Sequence, residues 1–174
     1  MTQYSKRMVT VHWLTLVLLI TAWYLGDTLS DATDESRATL VEYIVHGAVG
    51  VTILLLTVAR LFFRSVDGTP SDIGHGLMDK VAKGVHHLLY LVLFTLPISG
   101  ILTVIKSSVG KALLAGDATM LPKAHGYHGL FVHSLHGNLV TVLIVLVAVH
   151  LLGALKHQFI LKDGLLERMM LRRK

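Results

Sequence analysis

The stretch HGNLVTVLIVLVAVH, from His136 to His150, decides the fold class of this chain. Its two histidines bracket a run that is almost wholly apolar. Fourteen residues of α-helix advance by about 1400°, some 40° short of four full turns, and rise by about 21 Å. Both imidazoles therefore project from nearly one face of the helix. A buried imidazole is costly unless it is paired or bound, so each histidine needs a partner at its own depth.

The surrounding sequence is typical of a membrane protein. Apolar residues make up 53% of the 174 residues, and the mean hydropathy is +0.63. A helix of about 20 apolar residues crosses the hydrocarbon core of a bilayer. Four segments have this character: 8–26, 40–63, 81–105 and 130–155. We predict an all-α transmembrane four-helix bundle that forms a single integral-membrane domain over residues 1–174.

The first segment also has features of a signal peptide, because Lys6 and Arg7 precede an apolar stretch. No small-residue cleavage site follows it, and His12 and Trp13 interrupt the region that a signal peptide keeps apolar. We interpret it as a retained helix.

The basic residues predict the orientation, because Lys and Arg accumulate on the cytoplasmic side. Twelve of them fall on one predicted side: Lys6, Arg7, Arg60, Arg64, Lys80, Lys83, Lys156, Lys162, Arg168, Arg172, Arg173 and Lys174. Four fall on the other: Arg37, Lys106, Lys111 and Lys123. Both termini are therefore expected in the cytoplasm, with a long outer loop from Lys106 to about Gly129.

Composition also excludes several classes of protein. The chain has no cysteine, which excludes disulfides, iron–sulfur clusters and thiolate zinc sites. The net charge of +5 is not arranged as a basic stripe with interleaved aromatic residues, so no nucleic-acid partner is expected. The 11 histidines are the unusual feature.

Depth in the membrane selects the partners of the His136–His150 pair. His46 is the only strong candidate at the depth of His136. Three histidines lie at the depth of His150: His12, His86 and His87. A lone intramembrane histidine is often a polar residue whose hydrogen bonds are satisfied within the protein, or part of a proton relay. Four histidines at matched depths instead favour a bound cofactor.

Paired imidazoles from facing helices are the axial ligands of a low-spin b-type haem, and a four-helix bundle can hold the macrocycle. Gly47 and Gly50 follow His46, and Gly137 follows His136, so a flat ring can approach the backbone closely. A zinc or iron transporter would be expected to carry carboxylates at one depth, and the spans contain almost no Asp or Glu. The sequence thus predicts two haems, stacked as an electron path across the bilayer.

Five segments resemble the bacterial cytochrome b561 family in order along the chain. They are YSKRMVTVHWL (4–14), HGAVGVTILLLTVARLFFR (46–64), HHLLYLVLFTLPISG (86–100), the His136–His150 spacing, and HLLGALKHQFILKDGLLERMM (150–170). Together they cover nearly the whole chain, and the chain is most similar to the superoxide:ubiquinone oxidoreductase group of that family.

The resemblance implies two haem b groups, location in the bacterial inner membrane, and electron exchange with ubiquinone. Carried over, His12 pairs with His150 and His46 pairs with His136. His86 also falls on a family position and is the alternative to His12. His157, seven residues after His150, is a candidate contact for a haem propionate or a quinone, or else a solvated interfacial residue.

Two functions from different classes remain open. In the first, periplasmic superoxide reduces the outer haem and ubiquinone accepts the electrons. Positive charge in the outer loop would then steer a small anion, through Lys106, Lys111, Lys123, His125 and His128. In the second, the protein is a cytochrome b subunit whose outer loop docks a partner dehydrogenase or hydrogenase.

Overall fold

Long apolar helices make up most of the structure. It is a computed structural model, and it describes residues 3–30, 39–71, 76–122 and 130–171. The helices are α1 (Lys6–Ser30), α2 (Leu40–Asp67), α3 (Leu77–Lys106), the short α4 (Ser108–Ala115) and α5 (Phe131–Lys156). All except α4 are long and apolar enough to cross a membrane. The described part of the chain contains no β-strand. The prediction of an all-α protein with four membrane-spanning helices is confirmed.

The helices extend beyond the predicted spans. For example, α2 continues to Asp67 and α3 begins at Leu77. Hydropathy marks the thickness of the hydrocarbon core, whereas the helical hydrogen bonds continue into the polar interface. The start of α2 is fixed by a capping box, in which the Thr39 hydroxyl accepts from the Glu42 N–H and the Glu42 carboxylate accepts from the Thr39 N–H.

The bundle exposes its apolar side chains. Helix α1 packs on α2, α2 on α3, and α3 on α5. Large aliphatic side chains on all four long helices are more than half exposed, including Val17, Leu55, Leu91 and Leu152. In a membrane-spanning bundle this surface contacts lipid acyl chains, which are as apolar as leucine.

Helix α4 lies within the segment that was predicted to be an outer loop. Ser107 separates it from α3 and caps it, because the Ser107 hydroxyl accepts from the Val109 N–H. Val109, Ala112 and Leu121 form a buried cluster. A Cβ added to Gly110 would lie 2.7 Å from the Val104 carbonyl oxygen, so only glycine permits this close return of α4 onto α3. We call residues 108–121 the cap.

The opposite end of the bundle is closed by residues 162–171, which we call the strap. Its backbone carbonyls accept hydrogen bonds from the N-terminal part of the chain: Tyr4 N to Arg168 O at 3.2 Å, and Trp13 Nε1 to Met169 O at 2.9 Å. The Arg168 side chain donates to the Ser71 carbonyl. Both described terminal segments therefore lie at one end of the bundle, the strap end, and α4 lies at the other, the cap end. A π-helical turn (His157–Leu161) leads from α5 into the strap.

Candidate cofactor-binding site

At the cap end, α2 and α5 bring His46 and His136 together. Their ring centroids are 6.3 Å apart and their planes are 72° apart. Glycines on the neighbouring helices make room for both rings. A Cβ at Gly26 would lie 3.2 Å from His46 Cε1, and one at Gly100 would lie 3.1 Å from His136 Cε1. Each ring thus packs against bare backbone of α1 or α3.

The hydrogen bonds of His136 define which nitrogen carries its proton. Its Nδ1 lies 3.1 Å from the Leu96 carbonyl oxygen and 3.0 Å from Ser99 Oγ. Ser99 Oγ donates its own proton to the Leu96 carbonyl at 2.7 Å, so it can only accept from the ring. Nδ1 of His136 is therefore the donor, and Nε2 keeps a free lone pair.

A cavity of about 930 Å³ surrounds this pair of histidines. It lies between α1, α2, α3 and α5 and is lined mostly by aliphatic side chains. Gly50 and Gly137 also line it, and a Cβ added to either would meet nothing within 4 Å. Val109 and Leu121 of the cap form its wall at that end. Gly50 and Gly137, two of the glycines that were predicted to let a flat ring approach the backbone, therefore border open space.

At the strap end, His150 lies close to two other histidines. Its ring centroid is 6.2 Å from that of His12 and 5.1 Å from that of His86. His12, His46, His136 and His150 are half-buried, whereas His86 and His87 are exposed. The structure thus forms both histidine pairs that the resemblance implied, and it keeps His86 next to His150.

Arg60 also belongs to this cluster. It was counted among the basic residues of the cytoplasmic side although the predicted span 40–63 contains it. It lies within α2, and its Nη1 is 2.6 Å from His12 Nδ1. Its Nε is buried and has no hydrogen-bond partner among the residues that the structure describes, and its guanidinium lies 5.8 Å from the centroid of the Tyr90 ring. A basic residue within an apolar run marks a functional site in a membrane helix, and this signal was available in the sequence.

His157 contacts the strap. Its Nδ1 lies 2.6 Å from Asp163 Oδ2. Burial tends to raise the pKa of Asp163, but the hydrogen bonds from His157 and from the Leu165 N–H outweigh burial and hold that pKa below its usual value. His157 thus anchors the strap to the end of the last membrane-spanning helix.

The predicted steering residues are only partly described. Lys106 and Lys111 are exposed at the cap end. Lys123, His125 and His128 lie outside the described residues. Asp117 adds a negative charge to the cap, because hydrogen bonds from Thr119 lower the pKa of its carboxyl.

The described residues contain no group of three or more His, Asp or Glu side chains that could hold a metal ion. The candidate ligands in this part of the chain are the His46–His136 pair and His150 with His12 and His86 beside it. A paired arrangement leaves the remaining coordination positions of a metal to another ligand, such as the four nitrogens of a macrocycle.

The chain is similar to known proteins over nearly its whole length. Residues 3–171 match the family model for prokaryotic cytochrome b561. The chain is 33% identical over 171 residues to a cytochrome b562 of Cereibacter sphaeroides, covering 96% of this chain and 94% of that protein. It is 25% identical over 176 residues, the full length of both chains, to cytochrome b561 homolog 1 of Escherichia coli. It is 28% identical over 173 residues to a probable superoxide oxidase CybB of Yersinia pestis, covering 97% and 96% of the two chains. The chain therefore belongs to the prokaryotic cytochrome b561 family, whose members are membrane electron-transfer proteins with b-type haem.

Proposed function

We propose that this protein is a dihaem cytochrome b of the bacterial inner membrane that carries electrons from periplasmic superoxide to ubiquinone. His46 and His136 hold one haem at the cap end, and His12 and His150 hold the other at the strap end. The chain forms one integral-membrane unit with both termini in the cytoplasm, so the cap end faces the periplasm. The single observation that carries the proposal is the spacing of the two histidine pairs.

The ring spacing supports these ligand pairs. Two imidazoles that bind one metal ion from opposite sides have centroids roughly 6 Å apart, since each nitrogen lies about 2 Å from the metal and each centroid about 1 Å beyond the nitrogen. The two proposed pairs have centroid distances of 6.3 and 6.2 Å. The His86–His150 distance of 5.1 Å is about 1 Å shorter, which supports His12 as the ligand opposite His150.

The cavity and its polar atoms also fit a haem at the cap end. The apolar walls suit the faces of a porphyrin, and the free lone pair on His136 Nε2 suits its iron. Nδ1 of His46 is buried without a hydrogen-bond partner among the described residues. A metal bound through Nε2 would leave the ring proton on this nitrogen.

The bound haem supplies the one-electron redox chemistry, and the protein supplies access, orientation and electrostatics. Each superoxide that loses an electron becomes O₂, and ubiquinone takes up two electrons and two protons to become the quinol. Lys106 and Lys111 raise the local concentration of the anion at the cap end. His157 and the strap lie at the end where the quinone is reduced, and His157 is the proposed contact for the quinone or a haem propionate.

Steering by the outer lysines gives the test of this function. Changing Lys106, Lys111 and Lys123 together to Gln is expected to slow haem reduction by superoxide several-fold and to leave the haem spectrum unchanged. Added salt should slow the unmodified protein in the same direction, because exposed charges are screened over about 10 Å at 0.1 M. Stopped-flow reduction with superoxide pulses at low and high salt measures both effects.

The matched control changes Lys6, Lys80 and Lys156 to Gln, which removes the same charge from exposed residues at the strap end. Its reduction rate should stay within twofold of the unmodified protein. Equal slowing in both triple variants would show that the reduction rate depends on the net charge of the protein and not on the position of the lysines. No reduction of the unmodified protein by superoxide would reject the proposed donor.

Glycine packing behind His136 gives a second test, at the level of haem binding. A methyl group at Gly100 would press on the His136 ring at 3.1 Å, so Gly100→Ala should lower affinity for the cap-end haem on the order of tenfold, as changes around metal ligands do. Haem content after dialysis against apomyoglobin measures the loss. Gly84→Ala, in the same helix, adds a methyl group in open space and should retain both haems. Full retention in the Gly100 variant would contradict the proposed position of His136.

A second candidate function is an electron-transfer subunit that docks a partner dehydrogenase or hydrogenase. The apolar surface around the cap favours it, because Leu114 is 93% exposed and Ile105 is 68% exposed. Superoxide-dependent quinone reduction by the isolated protein separates the two functions, since a docked subunit needs its partner as the donor.

A further inference from the structure

Ser99 is the one buried hydroxyl in the described chain that contacts a proposed haem ligand. It is 3% exposed and lies on α3, two residues after Pro97, which has no N–H to donate within the helix. Its Oγ donates to the Leu96 carbonyl at 2.7 Å and lies 3.0 Å from His136 Nδ1. The other described Thr and Ser side chains of α3 within the membrane, Thr95 and Thr103, bond to backbone carbonyls of their own helix.

The direction of the hydrogen bond between Ser99 and His136 is defined. Because the Ser99 proton is committed to the Leu96 carbonyl, both Ser99 Oγ and Leu96 O accept from Nδ1 of His136. Two acceptors on one N–H draw the proton away from the ring and make Nε2 more electron-rich. Iron(III) carries one more positive charge than iron(II), so an electron-rich ligand stabilises the oxidised state more strongly.

The strap-end pair has the opposite environment. Nδ1 of His12 lies 2.6 Å from a nitrogen of Arg60, which can only donate. A guanidinium cation next to a ligand favours the less positive, reduced state of the iron. Groups around the ligand set the reduction potential of a haem. At the cap end the ligand faces two hydrogen-bond acceptors, whereas at the strap end a cation lies beside the ligand.

We propose that Ser99 is a positioning residue that, together with the Leu96 carbonyl, makes the cap-end haem the one with the lower reduction potential. The inference rests on the proposed function, because it requires a haem at each end. An electron that enters at the cap end is then passed on to the strap end. Ser99 acts through His136 and touches neither the donor nor the acceptor.

The test compares the reduction potentials of the two haems in Ser99→Ala. Loss of one acceptor should raise the reduction potential of one haem and shift its reduction equilibrium about fivefold. A fivefold shift corresponds to about 40 mV, because a tenfold shift corresponds to 59 mV for one electron. The potential of the second haem should not move. Ser99→Thr keeps the hydroxyl and should restore the original value. Potentiometric titration followed in the α-band measures all three proteins.

Thr95→Ala is the matched control, because it removes a hydroxyl one turn earlier on α3 that bonds to the Leu91 carbonyl. It should leave both potentials unchanged. Two retained haems with unchanged potentials in Ser99→Ala would overturn the inference, and so would loss of the cap-end haem, because Ser99 would then be needed for binding. Failure of the proposed function is distinguishable, since it appears as fewer than two haems in the unmodified protein.

Discussion

Replacing His136 with Ala is expected to lower the haem content of the purified protein from two per chain to one. The change removes one of two imidazoles whose centroids are 6.3 Å apart across the cap-end cavity, and the remaining His46 holds the iron from one side only. His46→Ala should lose the same haem, and the double variant should lose no more. The pyridine haemochrome assay against protein concentration gives the stoichiometry, and the reduced-minus-oxidised spectra identify which haem is lost.

His87→Ala provides the control for removing a histidine as such. His87 lies on α3 at the strap end and is exposed, so this variant should keep two haems. If the His46 and His136 variants lost spectrally different haems, the two residues would not share one iron.

The second large effect is expected at the strap end, where His12→Ala should lose one haem and His86→Ala should keep both. The 6.2 Å spacing and the half-buried ring favour His12, whereas His86 is exposed and only 5.1 Å from His150. In the present arrangement Arg60 donates to His12 Nδ1, which places the ring proton on Nε2. A neutral imidazole binds a metal through its unprotonated nitrogen, so binding through Nε2 would require the ring proton to move to Nδ1 and Arg60 to release that nitrogen.

His150→Ala is the reference for this comparison, because both alternatives require His150. The same haem should disappear in His150→Ala and in His12→Ala. Loss of that haem in His86→Ala, with retention in His12→Ala, would reverse the assignment. Haem content and low-temperature EPR of the ferric protein distinguish the outcomes.

The sequence predicted the spans well because long apolar runs have one physical solution in a bilayer, a helix with all its backbone hydrogen bonds satisfied internally. Helix geometry then placed His136 and His150 at two depths and selected His46 as a partner. The choice between His12 and His86 depends on which helices are neighbours and on how each helix is rotated about its axis. Neither feature can be read from the sequence of one helix.

The parts that the sequence did not predict depend on short segments and distant contacts. Helix α4 has only eight residues, too few for a clear periodic signal, and it is held by the Ser107 cap, the left-handed Gly116 and the bare backbone at Gly110. Ser99 shows nothing unusual in sequence, because its role depends on His136, 37 residues away. The contact of Arg60 with His12 was not predicted, because Arg60 was considered only as a charge that sets the orientation and not as a basic residue within the apolar span 40–63.

The strap joins residues that are made at very different times. Gln3 donates to the Glu167 carbonyl, a separation of 164 residues, and at about 5–20 residues per second the ribosome needs on the order of ten seconds or more to cover it. Before that interval ends the first three membrane helices can already be inserted, while the strap end has nothing to close it. Translation thus leaves a period in which a porphyrin can reach His12 before Trp13 is tied to Met169. Cofactor supply during synthesis, and not only after it, would then decide how much of the newly made protein is complete.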